Sequence, residues 1–141
     1  MKQSLFDAIG GLEVMQKVHT TFYDKVYAHP WLGKFFEGHE QAAIELRQTQ
    51  FMAEKFGSGT TYPGRDLELA HRRMYLTEEL LELRQDLLRE ALEEEKVPEH
   101  LIKRWLKIDK AFWSKVKNDS FESFQDIDLK YQKPLTIVKP A

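Results

Sequence analysis

Apolar residues fall at intervals of three and four along most of this chain, a spacing that suits helices and not strands. A strand would place them at every second position, because its side chains alternate across the sheet. Val14, Val18, Phe22 and Val26 instead recur every four residues, with Met15 and Tyr23 beside them. That stripe predicts a helix from about Leu12 to Tyr27. His29-Pro30 ends it, because proline pushes the preceding residue out of the helical region. A chain made of such stripes buries them against one another, so the expected class is all-α.

The remaining segments follow the same logic. Ser4 is placed to cap a short first helix, with Asp7 three residues on in a capping-box arrangement. Gly10-Gly11 closes that helix, since glycine tolerates the left-handed turn. Trp31 to Gly38 is a short connection rich in aromatics. A helix from about Gln41 to Phe56 carries Ala43, Ile44, Arg47, Gln48, Phe51 and Met52 on or near one face. Residues 57–64 form a loop by composition, and Asp66 is placed to cap a short helix or single turn leading to His71. Thr77 caps the next helix, which bears Leu80, Leu83, Leu87, Leu88, Ala91 and Leu92. The acidic run Glu93-Glu94-Glu95 reads as its solvated end. Pro98 suits a first helical turn, where its missing N–H is harmless. The last helix then presents Leu101, Ile102, Trp105, Leu106, Phe112, Trp113 and Val116. From Asn118 the period lapses. The expected organisation is one domain over residues 1–118 and a C-terminal extension, docked or mobile, over 119–141.

Composition removes whole classes of function. The 141 residues contain no cysteine, so disulfides, thiolate catalysis, iron–sulfur clusters and cysteine-held zinc are out. Twenty-one basic residues against 23 acidic ones give a net charge of −2, which argues against nucleic acid as a partner. No apolar run approaches the ~18 residues of a membrane span, and no apolar leader opens the chain; the expected location is cytoplasmic. Nine Phe, five Tyr and three Trp are generous for this length. They would line a flat aromatic cofactor, and equally an ordinary helical core.

One ordered set of motifs narrows the choice. Ser4-Leu-Phe-Asp-Ala-Ile-Gly10-Gly11 is followed by Phe22-Tyr23, Pro30 and Phe35-Phe36. The glycine-bearing loop Phe56-Gly57-Ser-Gly59, continuing to Tyr62-Pro63-Gly64-Arg65, precedes His71. Val97-Pro98-Glu-His-Leu101-Ile102 then opens the last helix. No single element is specific. In this order, over roughly residues 4–116, they resemble the truncated hemoglobin family, a group of shortened globins. The resemblance implies a truncated globin fold, a 2-on-2 helical sandwich around a heme. The loop between Met52 and His71 matches the first group of that family in length. The second group has a longer loop and a Trp in the following helix. Arg84 falls near that place, where the first group has an apolar residue. Its side chain is expected to snorkel past the pocket edge, or to sit one position away from it.

The resemblance also assigns roles. His71 would be the protein ligand to the iron, its other ring nitrogen oriented by a hydrogen bond. Phe36 would stack on the porphyrin. Tyr23 resembles the distal tyrosine that donates to bound dioxygen, with Gln48 completing the network. Ile44 stands where longer globins carry a distal histidine and cannot donate. Arg47 would meet a heme propionate. Some relatives place there a histidine that ligates the iron, but a guanidinium stays protonated, so an open or water-bound sixth position is expected. Relatives with covalently attached heme use a histidine in the last helix. Here the final one is His100, at that helix's start, so a non-covalent heme b is implied. Leu67, Ala70, Met74, Leu76, Phe51, Met52 and Tyr62 would wall the pocket. His19, His29, His39 and His100 show no metal-binding spacing and are expected in surface or core roles.

The implied function is reversible binding of diatomic gases: O2, and also NO and CO. The same residues suit a nitric oxide dioxygenase working with a reductase. A heme-free helical interaction module is the rival of another class, because every stripe would be needed for a core in any case.

Overall fold

The computed structural model of this chain describes residues 3–62 and 75–113, together with Ile137 and Lys139. All regular structure among them is helical: α1 (Leu5–Ala8), α2 (Gly11–Ala28), a 3-10 helix (Leu32–Phe36), α3 (Gln41–Lys55), α4 (Glu78–Glu94) and α5 (Glu99–Ala111). Each expected helix among the described residues is present, within about two residues of its predicted bounds; the short helix or turn expected from Asp66 lies outside the described residues. The last is described as helix only to Ala111, and Val116 lies outside the described residues.

The α2 stripe holds the molecule together. Met15, Val18, His19, Phe22, Tyr23 and Val26 are buried, and α2 packs against both α3 and α4. In turn α4 packs on α5, and α1 bridges α2 and α5. Trp105 of α5 is fully buried, with the Phe56 ring edge-on at 5.0 Å. Burying a large apolar side chain contributes about 1.5–3 kcal/mol, so a stripe of this size outweighs the weak intrinsic preferences of its residues.

Local chemistry sets the ends. The Asp7 N–H donates to Ser4 Oγ at 3.1 Å, and the Phe6 N–H donates to the Phe56 carbonyl at 2.9 Å, tying α1 to the end of α3. Gly57 closes α3 with φ at +91°, while the Ser58 N–H reaches back to the Ala53 carbonyl at 3.0 Å. His29 is a cap: its Nδ1 accepts from the N–H groups of Trp31 and Leu32 at 3.1 and 3.2 Å. Gly33 lets the 3-10 helix fold onto the end of α2, since a Cβ there would lie 2.7 Å from the Tyr27 carbonyl oxygen. Thr77 caps α4 through the Leu80 N–H at 3.3 Å.

The acidic end of α4 is more than a solvated face. Glu94 pairs with Lys25 at 2.9 Å and Glu95 accepts from the Thr21 hydroxyl at 3.0 Å, so both anchor α4 to α2. Of the segment after Asn118, Ile137 packs against the core and its carbonyl accepts from Trp31 Nε1 at 2.9 Å. Lys139 lies over the Trp31 ring and 3.4 Å from Glu79. No helix among the described residues is long and apolar enough to cross a membrane.

Candidate functional site

Tyr23 is the polar member of the α2 stripe. Its neighbours on the helix are apolar, and its ring lies edge-on to Phe22 at 4.7 Å and to Phe36 at 5.9 Å. Phe36 comes from the 3-10 helix and also meets Tyr27 at 5.3 Å. Burial pushes the Tyr23 hydroxyl up to about 12, with the cation of Arg84 opposing that rise and the carboxylate of Asp109 adding to it. The phenol therefore keeps its proton throughout the physiological range.

The packed face of α3 adds a second set. Ile44, Gln48 and Phe51 are half-buried, at spacings of four and three that align them on one face. Arg47 is exposed beside them. Phe51 meets the rings of Tyr62 at 5.3 Å and Phe112 at 5.2 Å, with Lys55 Nζ 5.1 Å above it. The Tyr62 N–H donates to the Glu54 carboxylate, which that bond holds below its usual range. Met52 and Leu76 are buried in the core. His71, Leu67, Ala70 and Met74 lie outside the described residues. Among the site residues expected from sequence, Tyr23 and Phe36 are brought into contact, as are Phe51 and Tyr62.

Arg84 departs from expectation. It does not snorkel outward. Its Nη1 donates to both oxygens of Asp109, at 2.9 and 2.8 Å, and its guanidinium sits 5.2 Å over the Phe22 ring. Gln85 Nε2 fixes the carboxylate from the side, 3.5 Å from Asp109 and 3.1 Å from the Leu106 carbonyl. Asp109, Tyr23 and the bulk of Arg84 turn away from water because α4 and α5 pack there, and one charge compensates the other.

Sequence reasoning missed this pair, though a signal existed. Arg84 lies four residues from both Leu80 and Leu88, and Asp109 lies four from both Trp105 and Trp113. Each charge interrupts an apolar stripe, on two successive helices, with opposite sign. His19 takes the core role, one of the two expected for it. It is buried on the α2 stripe, with Nδ1 2.7 Å from Thr49 Oγ1 and Trp105 edge-on at 5.7 Å. Burial first, and the Arg84 cation second, lower it to about 3, so the ring is neutral. Among the described residues no cluster of histidines and carboxylates suits a metal ion.

This arrangement fits a flat apolar group with a polar ligand beside it. Phe36, Ile44 and Phe51 are apolar side chains left partly uncovered on elements that pack against α2. Tyr23 offers a desolvated O–H, and Gln48 a neutral amide that donates and accepts. Arg47 offers an exposed cation at the rim of the same helix.

Residues 4–127 match the family model for bacterial-like globin. Over 69 residues, 49% of this chain, the sequence is 32% identical to a Group 1 truncated hemoglobin of Chlamydomonas moewusii and to another of Mycolicibacterium paratuberculosis. Those alignments cover 40% and 51% of the two relatives, so the match spans about half the length of such proteins. Truncated hemoglobin from Tetrahymena pyriformis in its Fe(III) form superimposes with a TM-score of 0.78 at 23% identity, over 83% of this chain and all of that one. A Synechococcus 2/2 hemoglobin with covalently attached heme gives 0.72 at 26% identity, over 88% and 97%. The Group II truncated hemoglobin of Bacillus anthracis gives 0.77 at 22%, over 84% and 93%. Shape therefore shows the 2-on-2 fold without separating the groups, while the sequence relatives are of the first group.

Proposed function

Since this chain belongs to the truncated hemoglobin family, we propose that it holds a non-covalent heme b and reversibly binds a diatomic gas, O2 foremost and NO and CO as well. The observation that carries this reading is the buried, proton-bearing hydroxyl of Tyr23 against Phe36. A second observation supports it. The Tetrahymena protein has been solved with one tyrosine changed to phenylalanine, and with either of two glutamines, 21 and 25 residues further along, changed to glutamate. In this chain Ile44 and Gln48 stand at those two spacings from Tyr23.

A bound heme would supply an iron able to take up the gas, and His71 is the candidate residue to hold it. The rest falls to side chains. Tyr23 donates its O–H to a ligand that gains negative charge, in a site where water does not compete. Gln48 adds a second donor or steadies Tyr23. Ile44 would keep that corner apolar, Phe36 would pack on the ring, and Arg47 would pair a propionate. Phe51, Tyr62 and Leu76 act as walls. His100, exposed at the first turn of α5, is poorly suited to bond a heme covalently. Residues 1–118 are the candidate heme-binding domain and residues 119–141 a C-terminal extension, of which Ile137 meets Trp31.

The test is spectroscopic. The purified protein, given hemin, should show a Soret band, and His71→Ala should weaken heme binding and remove the axial-histidine signature. Tyr23→Phe should speed O2 dissociation by one charge-assisted bond, about 1.5–3 kcal/mol. No Soret band would favour a heme-free interaction module. Catalytic NO removal with a reductase present would extend the reading to a dioxygenase; consumption of a single equivalent would not.

A further inference from the structure

The two helices α4 and α5 sort their charges. The cations of α4 are Arg84 and Arg89, and the carboxylates of α5 are Glu99 and Asp109. These groups pair across the helix contact: Arg84 holds Asp109 at 2.8 Å and Arg89 holds Glu99 at 2.6 Å. Glu99 stands four residues before Lys103, the spacing of an ordinary helical ion pair, yet its carboxylate turns to Arg89 instead. The outer face of α5 is left with cations alone. Lys103, Arg104, Lys107 and Lys110 are exposed, on the side away from the buried Trp105. None of them makes an ion pair among the described residues, whereas Lys17, Lys25, Lys34, Lys55 and Arg89 each have a carboxylate partner. Lys103, Lys107 and Lys110 fall on one stripe about 10 Å long.

We infer that this face of α5 is the docking surface for an acidic one-electron carrier protein that returns the iron of a bound heme to the ferrous state. The inference rests on the gas-binding reading above and names a partner for it. O2 binds ferrous iron, so each oxidation to the ferric state is undone by one electron, which a reduced carrier gives up as it becomes oxidised. The helix is a suitable point of entry, because its neighbour in sequence, Phe112, meets the ring of Phe51 at 5.2 Å, and Phe51 is a wall residue of the proposed pocket. The charge pattern selects the partner's class. A row of unpaired cations attracts an acidic protein surface and steers the encounter. An anionic membrane suits it less. No large apolar side chain is exposed on α5 to enter the lipid boundary, and the net charge of −2 opposes approach to an extended anionic sheet.

The test uses an acidic plant-type ferredoxin as the carrier. With the heme-free protein, a carbodiimide should link ferredoxin carboxylates to Lys103, Lys107 or Lys110, and molar salt should abolish those links. With the heme-loaded protein, reduction of the ferric form by reduced ferredoxin, followed at the Soret band, should slow about tenfold or more in the double variant Lys103→Glu with Lys107→Glu. The double variant Lys17→Glu with Lys34→Glu changes the net charge equally on other faces and should slow it by less than about twofold. Equal slowing by the two doubles, or links confined to other elements, overturns the inference. So does an α5 double that loses binding to phosphatidylserine vesicles but keeps its reduction rate, which would make the face a lipid-binding one. Low-salt self-association that the α5 double abolishes, with reduction unchanged, overturns it in favour of a second copy's acidic α4. A protein that takes up no heme while its links to α5 persist sinks the gas-binding reading and leaves the docking face standing.

Discussion

The ion pair between α4 and α5 should break asymmetrically. Asp109 is 6% exposed, while the Arg84 side chain keeps 25% of its surface in water. Replacing Arg84 by Met leaves a buried carboxylate whose nearest described donor is Gln85 Nε2 at 3.5 Å. Removing one member of a buried pair costs 3–5 kcal/mol, and the partial exposure of this one argues for the low end, ~3 kcal/mol. Replacing Asp109 by Asn strands the other charge far less. Arg84 keeps the Phe22 face and its access to water, and the Asn oxygen still accepts, so the cost should be ~1 kcal/mol. For a domain of this size ~1 kcal/mol moves Tm by roughly 3–4 °C, giving a drop of about 10 °C for Arg84→Met and about 3 °C for Asp109→Asn. Thermal unfolding followed by circular dichroism, at fixed heme saturation, measures both. Equal costs for the two variants would refute the argument from unequal burial.

Other perturbations read other parts of the molecule. His19 is lowered to about 3 by burial, against 6.5 when unfolded, so its contribution is complete above pH 6.5 and is lost as pH falls toward 3. Denaturant midpoints should show a slope of about 1.4 kcal/mol per pH unit in that window, or ~2 kcal/mol lost by pH 5, and His19→Asn, which retains a partner for Thr49, should flatten it. Gly33→Ala drives a methyl into the Tyr27 and Val26 carbonyl oxygens, at 2.7 and 3.1 Å, and backbone cannot step aside; a loss of ~1–3 kcal/mol in chemical unfolding is expected. Thr77→Ala removes the bond to the Leu80 N–H and should cost ~1 kcal/mol, which Thr77→Ser should largely recover.

Helices, caps and breaks were legible because they depend on neighbours in sequence. Ser4, Gly57, Thr77 and Pro98 act within three or four residues of themselves, and the α2 stripe is visible as a period. Tyr23 and Phe36 were reachable as a pair only through the resemblance of ordered motifs, since nothing local says that α2 and the 3-10 helix meet there. The roles proposed for His71, Leu67 and Met74 fall on residues outside the described ones. Arg84 was misjudged because an isolated charge on a helix is ordinarily satisfied by water, and its partner lies 25 residues away on another helix. The cap made by His29 was unreadable for a related reason: an imidazole acceptor depends on its tautomer and on the turn that follows.

By itself the sequence determined an all-helical chain with a charge-balanced surface and an aromatic-rich interior, because periodicity and composition act through short-range sterics and transfer from water. Only the tertiary structure decided which polar groups share that interior. Arg84, Asp109, Tyr23, His19 and Thr49 come from four different helices, and their charge, protonation and hydrogen-bond direction follow from being desolvated together, a property that none of them has alone.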